Sequence, residues 1–149
     1  MNLIVDANIV FSGILNTNGK IGDLLINSSN YLHFIAPEYL RKEIKNHYSK
    51  LAKIAHLNDS QIQEAEFQIY KDIKFISEEQ IPIPTWVAAE RLVHDVDPND
   101  IAYLAFSLHF NCKIWSGDKR LTSGLLKKEF SDILDTESVY DLREAVKKE

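Results

Sequence analysis

DPNDIAYLAFSLHFNCKIWSGD, residues 97–118, runs a helix, a stop and a strand together without a break. Asp97 is a favoured N-cap, Pro98 suits the first helical position, and Asp100 at the third position complements the helix dipole. Ile101, Leu104, Ala105 and Leu108 recur at spacings of three and four and make one apolar face. Asn111 accepts the left-handed conformation that stops a helix. CKIWS (112–116) then reads as a strand, and an acid, Asp118, follows two residues after it.

The same alternation extends outward in both directions. LIVDA (3–7) and HFIAP (33–37) read as strands, with a short helix over 19–28 between them. Leu40, Ile44, Tyr48, Leu51 and Ala55 keep a helical period from Glu38 onward, which predicts one long helix. Asn58-Asp59-Ser60 offers the next N-cap, and Ile62, Ala65, Ile69 and Ile73 continue the period. KFIS (74–77) predicts a strand before the breakers Pro82 and Pro84. A helix then runs from about Thr85 to Val93. DILDT (132–136) is the last strand, and a C-terminal helix starts at Glu137. Strands alternating with helices imply right-handed crossovers, hence an α/β sandwich with a parallel sheet covered on both faces.

Composition narrows the function. A chain of 149 residues without repeats or linkers reads as a single domain, 1–149. Its apolar runs fall far short of the roughly 20 residues that span a bilayer. The N-terminus shows no basic segment followed by an apolar core, so the expected location is cytoplasmic. Cys112 is the single cysteine, which excludes an internal disulfide and argues against a thiolate zinc site. Its apolar neighbours suggest a packing thiol, and Trp86 and Trp115 also occupy core-like positions. The five histidines are scattered without ligand spacing. A net charge of −5 does not by itself point to nucleic acid. Even so, Arg41, Lys42, Lys45, Lys50 and Lys53 face only Glu43 over 41–53, whereas 59–79 is acidic. The basic stretch suits either phosphate binding or a plain solvated helix face.

The acids carry the chemistry. In parallel sheets ligands bind beyond the carboxyl ends of the strands, where the strand order reverses. Asp6 ends the first strand, Asp118 follows a late one, Asp97 and Asp100 start the helix feeding it, and Glu43 lies in the helix after the second. Each has an ordinary alternative: Asp97 a cap, Asp100 a dipole partner, Asp118 a turn residue, Glu43 a surface acid. Asp6 is harder to assign to structure alone, because an acid within an apolar strand needs a partner. Clustered carboxylates repel unless a cation neutralises them, and an all-oxygen donor set favours Mg²⁺ or Mn²⁺ over zinc.

LIVDANIVFSG, PEYLRKEI, DPNDIAYLAFSL and KIWSGDKRL, in this order, resemble the PIN-domain nucleases, and more narrowly the bacterial VapC-like toxins. The resemblance spans about Leu3 to Leu121. It implies a three-layer α/β/α sandwich with a central parallel sheet and an acidic pocket for Mg²⁺ or Mn²⁺. By residue it implies Asp6, Glu43, Asp100 and Asp118 as the acids, with Asp6, Asp100 and Asp118 as metal ligands. Asn8 and Ser116 match polar positions that steady the first and last acids, and Asp97 matches a supporting acid. The implied activity is hydrolysis of RNA, with Lys119, Arg120, Arg41, Lys42 and Lys45 as candidate phosphate contacts. The implied partners are a small antitoxin protein and a second copy of the chain. Two departures stand beside it: a longer acidic stretch over 56–79 and an acidic overall charge. Two other classes compete, a non-catalytic scaffold and an aspartate-phosphorylated switch. Such switches place a second acid two residues after the first, where this chain has Asn8.

Overall fold

The computed structural model describes residues 1–149. Five strands, β1 (Asn2–Val5), β2 (His33–Pro37), β3 (Ile73–Ile76), β4 (Lys113–Trp115) and β5 (Ile133–Leu134), form one sheet in the order β3-β2-β1-β4-β5. Every pairing is parallel. Leu3, Ile4 and Val5 are fully buried, as a central strand covered on both faces demands.

The helices are α1 (Ala7–Leu15), α2 (Lys20–Asn27), α3 (Tyr39–Asn46), α4 (Tyr48–Ala55), α5 (Asp59–Tyr70), α6 (Ile83–Val93), α7 (Ile101–Phe110), α8 (Lys119–Leu126) and α9 (Thr136–Lys147). The chain winds from β1 to β3 toward one edge, then crosses back to β4 and on to β5. Right-handed crossovers therefore put α1–α5 on one face and α6–α8 on the other, which makes the three-layer α/β/α sandwich. Helices α1 to α5 pack among themselves, and α7 lies against β1, β2 and β4 beneath α6. The direction of winding reverses between β1 and β4, so the crevice beyond their carboxyl ends is the switch point.

Several sequence expectations need correction. The first strand ends at Val5, and Asp6 is the N-cap of α1 rather than part of the strand. Helix α1 was not foreseen, because Ile9, Val10, Gly13 and Ile14 are all buried and a helix apolar on most sides shows no clear period. The long helix from Glu38 is two helices broken at His47, whose N–H bonds back to the Ile44 carbonyl. One apolar stripe (Leu40, Ile44, Leu51) runs through both, and periodicity cannot register such a break. The helix expected from Thr85 begins at Ile83, capped by Pro82. The helix expected at Pro98 opens as a 3-10 turn over Pro98–Asp100 before α7. Trp115 is fully buried, whereas Trp86 is only half-buried. Cys112 is buried. No helix is long and apolar enough to cross a membrane.

Candidate active site

Asp6, Asp97, Asp100, Asp118 and Glu43 reach the switch point from four segments, and local folding explains each. The β1–β4 register pairs Val5 with Trp115, which sets Asp6 beside Ser116. The Asp6 N–H donates to the Trp115 carbonyl. Its Oδ1 accepts the Ile9 N–H at 3.0 Å to cap α1. Asp118 caps α8 with one oxygen, accepting the Arg120 and Leu121 N–H groups at 2.9 and 3.1 Å. The Ser116 hydroxyl accepts the Asp118 N–H at 3.1 Å and so orders the β4–α8 loop. Asp97 accepts the Asn99 N–H at 3.1 Å. Asp100 caps no N–H with its side chain.

Asp97 and Asp118 each cap with one oxygen and keep the other without a protein donor, while Asp6 has the Ser116 hydroxyl beside the Ile9 N–H. The structural and functional readings of these residues are therefore compatible. Asp97, Asp100 and Asp118 each bring a carboxylate oxygen within 4.8 Å of the other two. Asp97, expected only as a supporting acid, is a full member of this tightest trio. Glu43 accepts the Tyr103 hydroxyl at 2.6 Å, a short bond that holds it toward α7.

The electrostatics report a deficit of positive charge. Asp6 is 4% exposed, and its pKa is pushed up to about 6, chiefly by burial. The Ser116 hydroxyl and the Ile9 N–H favour its charged form, while Asp118 and Glu43 oppose it. Asp100 is pushed up to about 7 by burial, then by Asp97, Asp6, Asp118 and Glu43 in turn. Burial also raises Glu43 and, with Glu43 beside it, the Tyr103 phenol. None of these five acids enters any of the ion pairs in the structure. A dense set of oxygen donors without ion-pair partners fits a hard divalent ion, Mg²⁺ or Mn²⁺, and does not fit a zinc site built on thiolate or imidazole.

The other expected residues separate. Asn8 is exposed on the first turn of α1 and makes no side-chain hydrogen bond. Lys119 and Arg120, with Lys127 and Ser123, line a cleft of about 420 Å³ that abuts Asp95 and Val96. Lys42 lines a second cleft that borders the next stretch of the same segment, at Pro98, Asn99, Ile101 and Ala102. The ridge 95–102 thus carries Asp97 and Asp100 between two clefts. Arg41 is already engaged, pairing with Glu38 at 3.3 Å and stacking 3.9 Å over the Phe75 ring. Lys45 is exposed on α3. Tyr103 has a weak signal in the sequence: a tyrosine in the first turn of the helix that Asp100 precedes, three residues on.

Comparison with known proteins agrees with this architecture. A chain in the crystal structure of VapBC2 from Rickettsia felis, bound to a DNA fragment from their promoter, superposes with a TM-score of 0.62 at 12% identity. The match covers 91% of this chain and 97% of that one. No curated protein sequence matches the chain. The sequence profile of the PIN domain matches residues 4–138, from within β1 into α9 and across every acid of the switch point, and the chain belongs to the PIN-domain family.

Proposed function

We propose that this PIN-domain protein is a Mg²⁺- or Mn²⁺-dependent endoribonuclease and the toxin of a toxin–antitoxin pair. The observation that carries the proposal is the convergence of five acids without ion-pair partners at the switch point, three of them within 4.8 Å. Asp6, Asp100 and Asp118 would hold the ion, joined by Asp97. When bound, such an ion supplies a water made acidic enough to attack near neutral pH and a counter-charge for the scissile phosphate. Glu43, anchored by Tyr103 through Oε1, would orient an attacking water and accept its proton. Ser116 keeps Asp6 in the charged form that a cation needs. Lys119 and Arg120 on one side and Lys42 and Lys45 on the other hold flanking phosphates. Arg41 serves α3 instead. Asn8 steadies Asp6 only if its exposed amide turns inward on binding. Attack by water rather than by the 2′-hydroxyl leaves 5′-phosphate and 3′-hydroxyl ends.

The partners follow from the family. The Rickettsia felis structure is of a VapBC2 complex on DNA, and that likeness supports a small antitoxin partner here. A homodimer and a cytoplasmic location belong to the same proposal. The test is cleavage of a mixed RNA pool with Mg²⁺ or Mn²⁺, beside EDTA and Asp100→Asn controls. Metal-dependent cutting lost in both controls is the expected result. No cutting, together with no calorimetric metal binding, would assign the chain to the non-catalytic scaffolds instead.

A further inference from the structure

The cleft on the Lys42 side of the ridge has a composition that phosphate binding does not explain. It encloses about 580 Å³ between α3, α6 and the start of α7, within the roughly 300–1,000 Å³ of small-molecule sites. Tyr39 and Trp86 supply aromatic rings, and Pro98, Asn99 and Ile101 the wall shared with the acids. The Trp86 ring is held by its indole N–H, which donates to the Ile81 carbonyl at 3.2 Å, whereas Tyr39 is anchored through its backbone N–H, which donates to the Glu78 carboxylate at 2.7 Å. Tyr39 is 41% exposed even so. The charges lining the cleft are not equally available. Arg41 offsets Glu38, and Glu78 keeps its charge while its Oε1 accepts the Tyr39 N–H, so Lys42 is the cation that lines the cleft.

We propose that this cleft binds an unpaired nucleobase of the RNA strand whose phosphate lies at the acids, so that Tyr39 and Trp86 stack the base and Lys42 meets its phosphate. This deepens the ribonuclease reading and rests on it. Three features favour a base over an apolar protein segment. The wall between Asp97 and Asp100 is also the wall of the cleft, so a strand held at the acids delivers its neighbouring nucleotide there. Aromatic faces beside a lysine are the combination that binds single strands with little sequence preference. A single-stranded path also suits an acidic chain, because stacking supplies affinity that its net charge of −5 does not.

The test uses tryptophan emission of the full chain in EDTA, which keeps the strand intact. Trp115 is fully buried, so a quench on adding RNA reports Trp86. Hexauridylate is compared with an abasic ribose-phosphate hexamer, for which repulsion from the acids is the same. Hexauridylate should quench and bind at least about fivefold more tightly, the lower end of what stacking one base contributes. Trp86→Phe should abolish the signal. Tyr39→Ala should weaken hexauridylate alone, roughly five- to hundredfold, while Tyr39→Phe keeps the affinity. Equal binding of the two hexamers, or no effect of Tyr39→Ala, overturns the proposal. So does emission that changes with protein concentration alone alongside dimer formation in sedimentation, since a second copy then covers Trp86. Cleavage is measured separately. A protein that cuts RNA yet binds both hexamers equally loses only the base cleft, and one that prefers the base yet never cuts loses only the nuclease.

Discussion

Buried charge is handled in two opposite ways in this molecule. At the far end of the chain, Arg143 in α9 is 6% exposed and paired with two carboxylates. It donates to Asp23 at 2.9 Å, to the Ser28 hydroxyl at 3.2 Å and to Glu144. Burial alone would lower its pKa, yet Asp23 and Glu144 raise it, and Asp23 in turn is held below its ordinary value by Asn27 and Arg143. At the switch point the carboxylates are pushed the other way, upward, by burial and by one another. The first cluster is complete as folded and ties α9 to α2. The second leaves its carboxylates without ion-pair partners, as the proposed metal site requires. Strongly perturbed groups gathered in a crevice mark function, whereas groups that satisfy one another mark architecture.

The largest expected effect separates the two clusters most sharply. Asp100→Asn should cut metal-dependent cleavage by more than the roughly 10–100-fold that outer-shell changes at metal sites cost. The fold should survive, because the amide removes a repelled charge, and calorimetry should show weakened metal binding. Arg143→Met should do the reverse. It leaves Asp23 without its partner and should destabilise the protein by about 2–3 kcal/mol, below the 3–5 kcal/mol of fully buried pairs because Asp23 is partly solvated. Cleavage per folded molecule should be unchanged. A denaturant melt and a cleavage assay on both variants check the pair of predictions. Loss of activity without loss of stability in Arg143→Met would break the distinction.

Much of this contrast was readable before the fold was known, but not all of it. The caps were legible because capping is local chemistry: Asp97 before Pro98, Asn58 before its helix and Asn111 after α7 behave as the sequence predicts. HFIAP at 33–37 is a strand over its full predicted length. Helix α8 was not legible, since it is short, contains Ser123-Gly124 and depends on Asp118 for its start. The approach of Asp97 to Asp118 arises from the β3-to-β4 crossover, and no spacing along the chain encodes it. Tyr103 was hidden by the opposite problem: in a helix buried from Ala102 to Ser107, one more aromatic looks like core. The half-open position of Trp86 likewise depends on how α6 leaves Pro82, a tertiary matter.

A pH experiment sharpens the comparison further. The folded pKa values of Asp6 and Asp100, about 6 and about 7, lie above the ordinary 3.8. Between those limits the folded state binds more protons than the unfolded one, so their contribution to stability is full below pH 4 and is lost as pH rises through 6 to 7. Metal-free protein should therefore melt at a lower temperature at pH 7.5 than at pH 5. Asp100→Asn should flatten that slope. Mg²⁺ or Mn²⁺ should raise the melting temperature more at pH 7.5 than at pH 5, because only the charged acids bind it. Arg143→Met should leave the slope unchanged over this range.

The smallest effect is the most discriminating for Glu43. Tyr103→Phe removes one hydroxyl from a residue that is 2% exposed and otherwise keeps its shape. Glu43 then loses the bond that favours its charged form. Stability should change by no more than about 1 kcal/mol, since the half-buried carboxylate recovers water as a partner. The acid limb of the cleavage profile should move to higher pH, because Glu43 now holds its proton more tightly against the burial that already raises it. At neutral pH the cost should be a few-fold, and at alkaline pH it should vanish. A structural Glu43 predicts something different: the same small loss at every pH. A pH–rate profile of the two proteins, measured at saturating Mn²⁺, therefore decides whether Glu43 takes part in proton transfer or only holds α3 against α7.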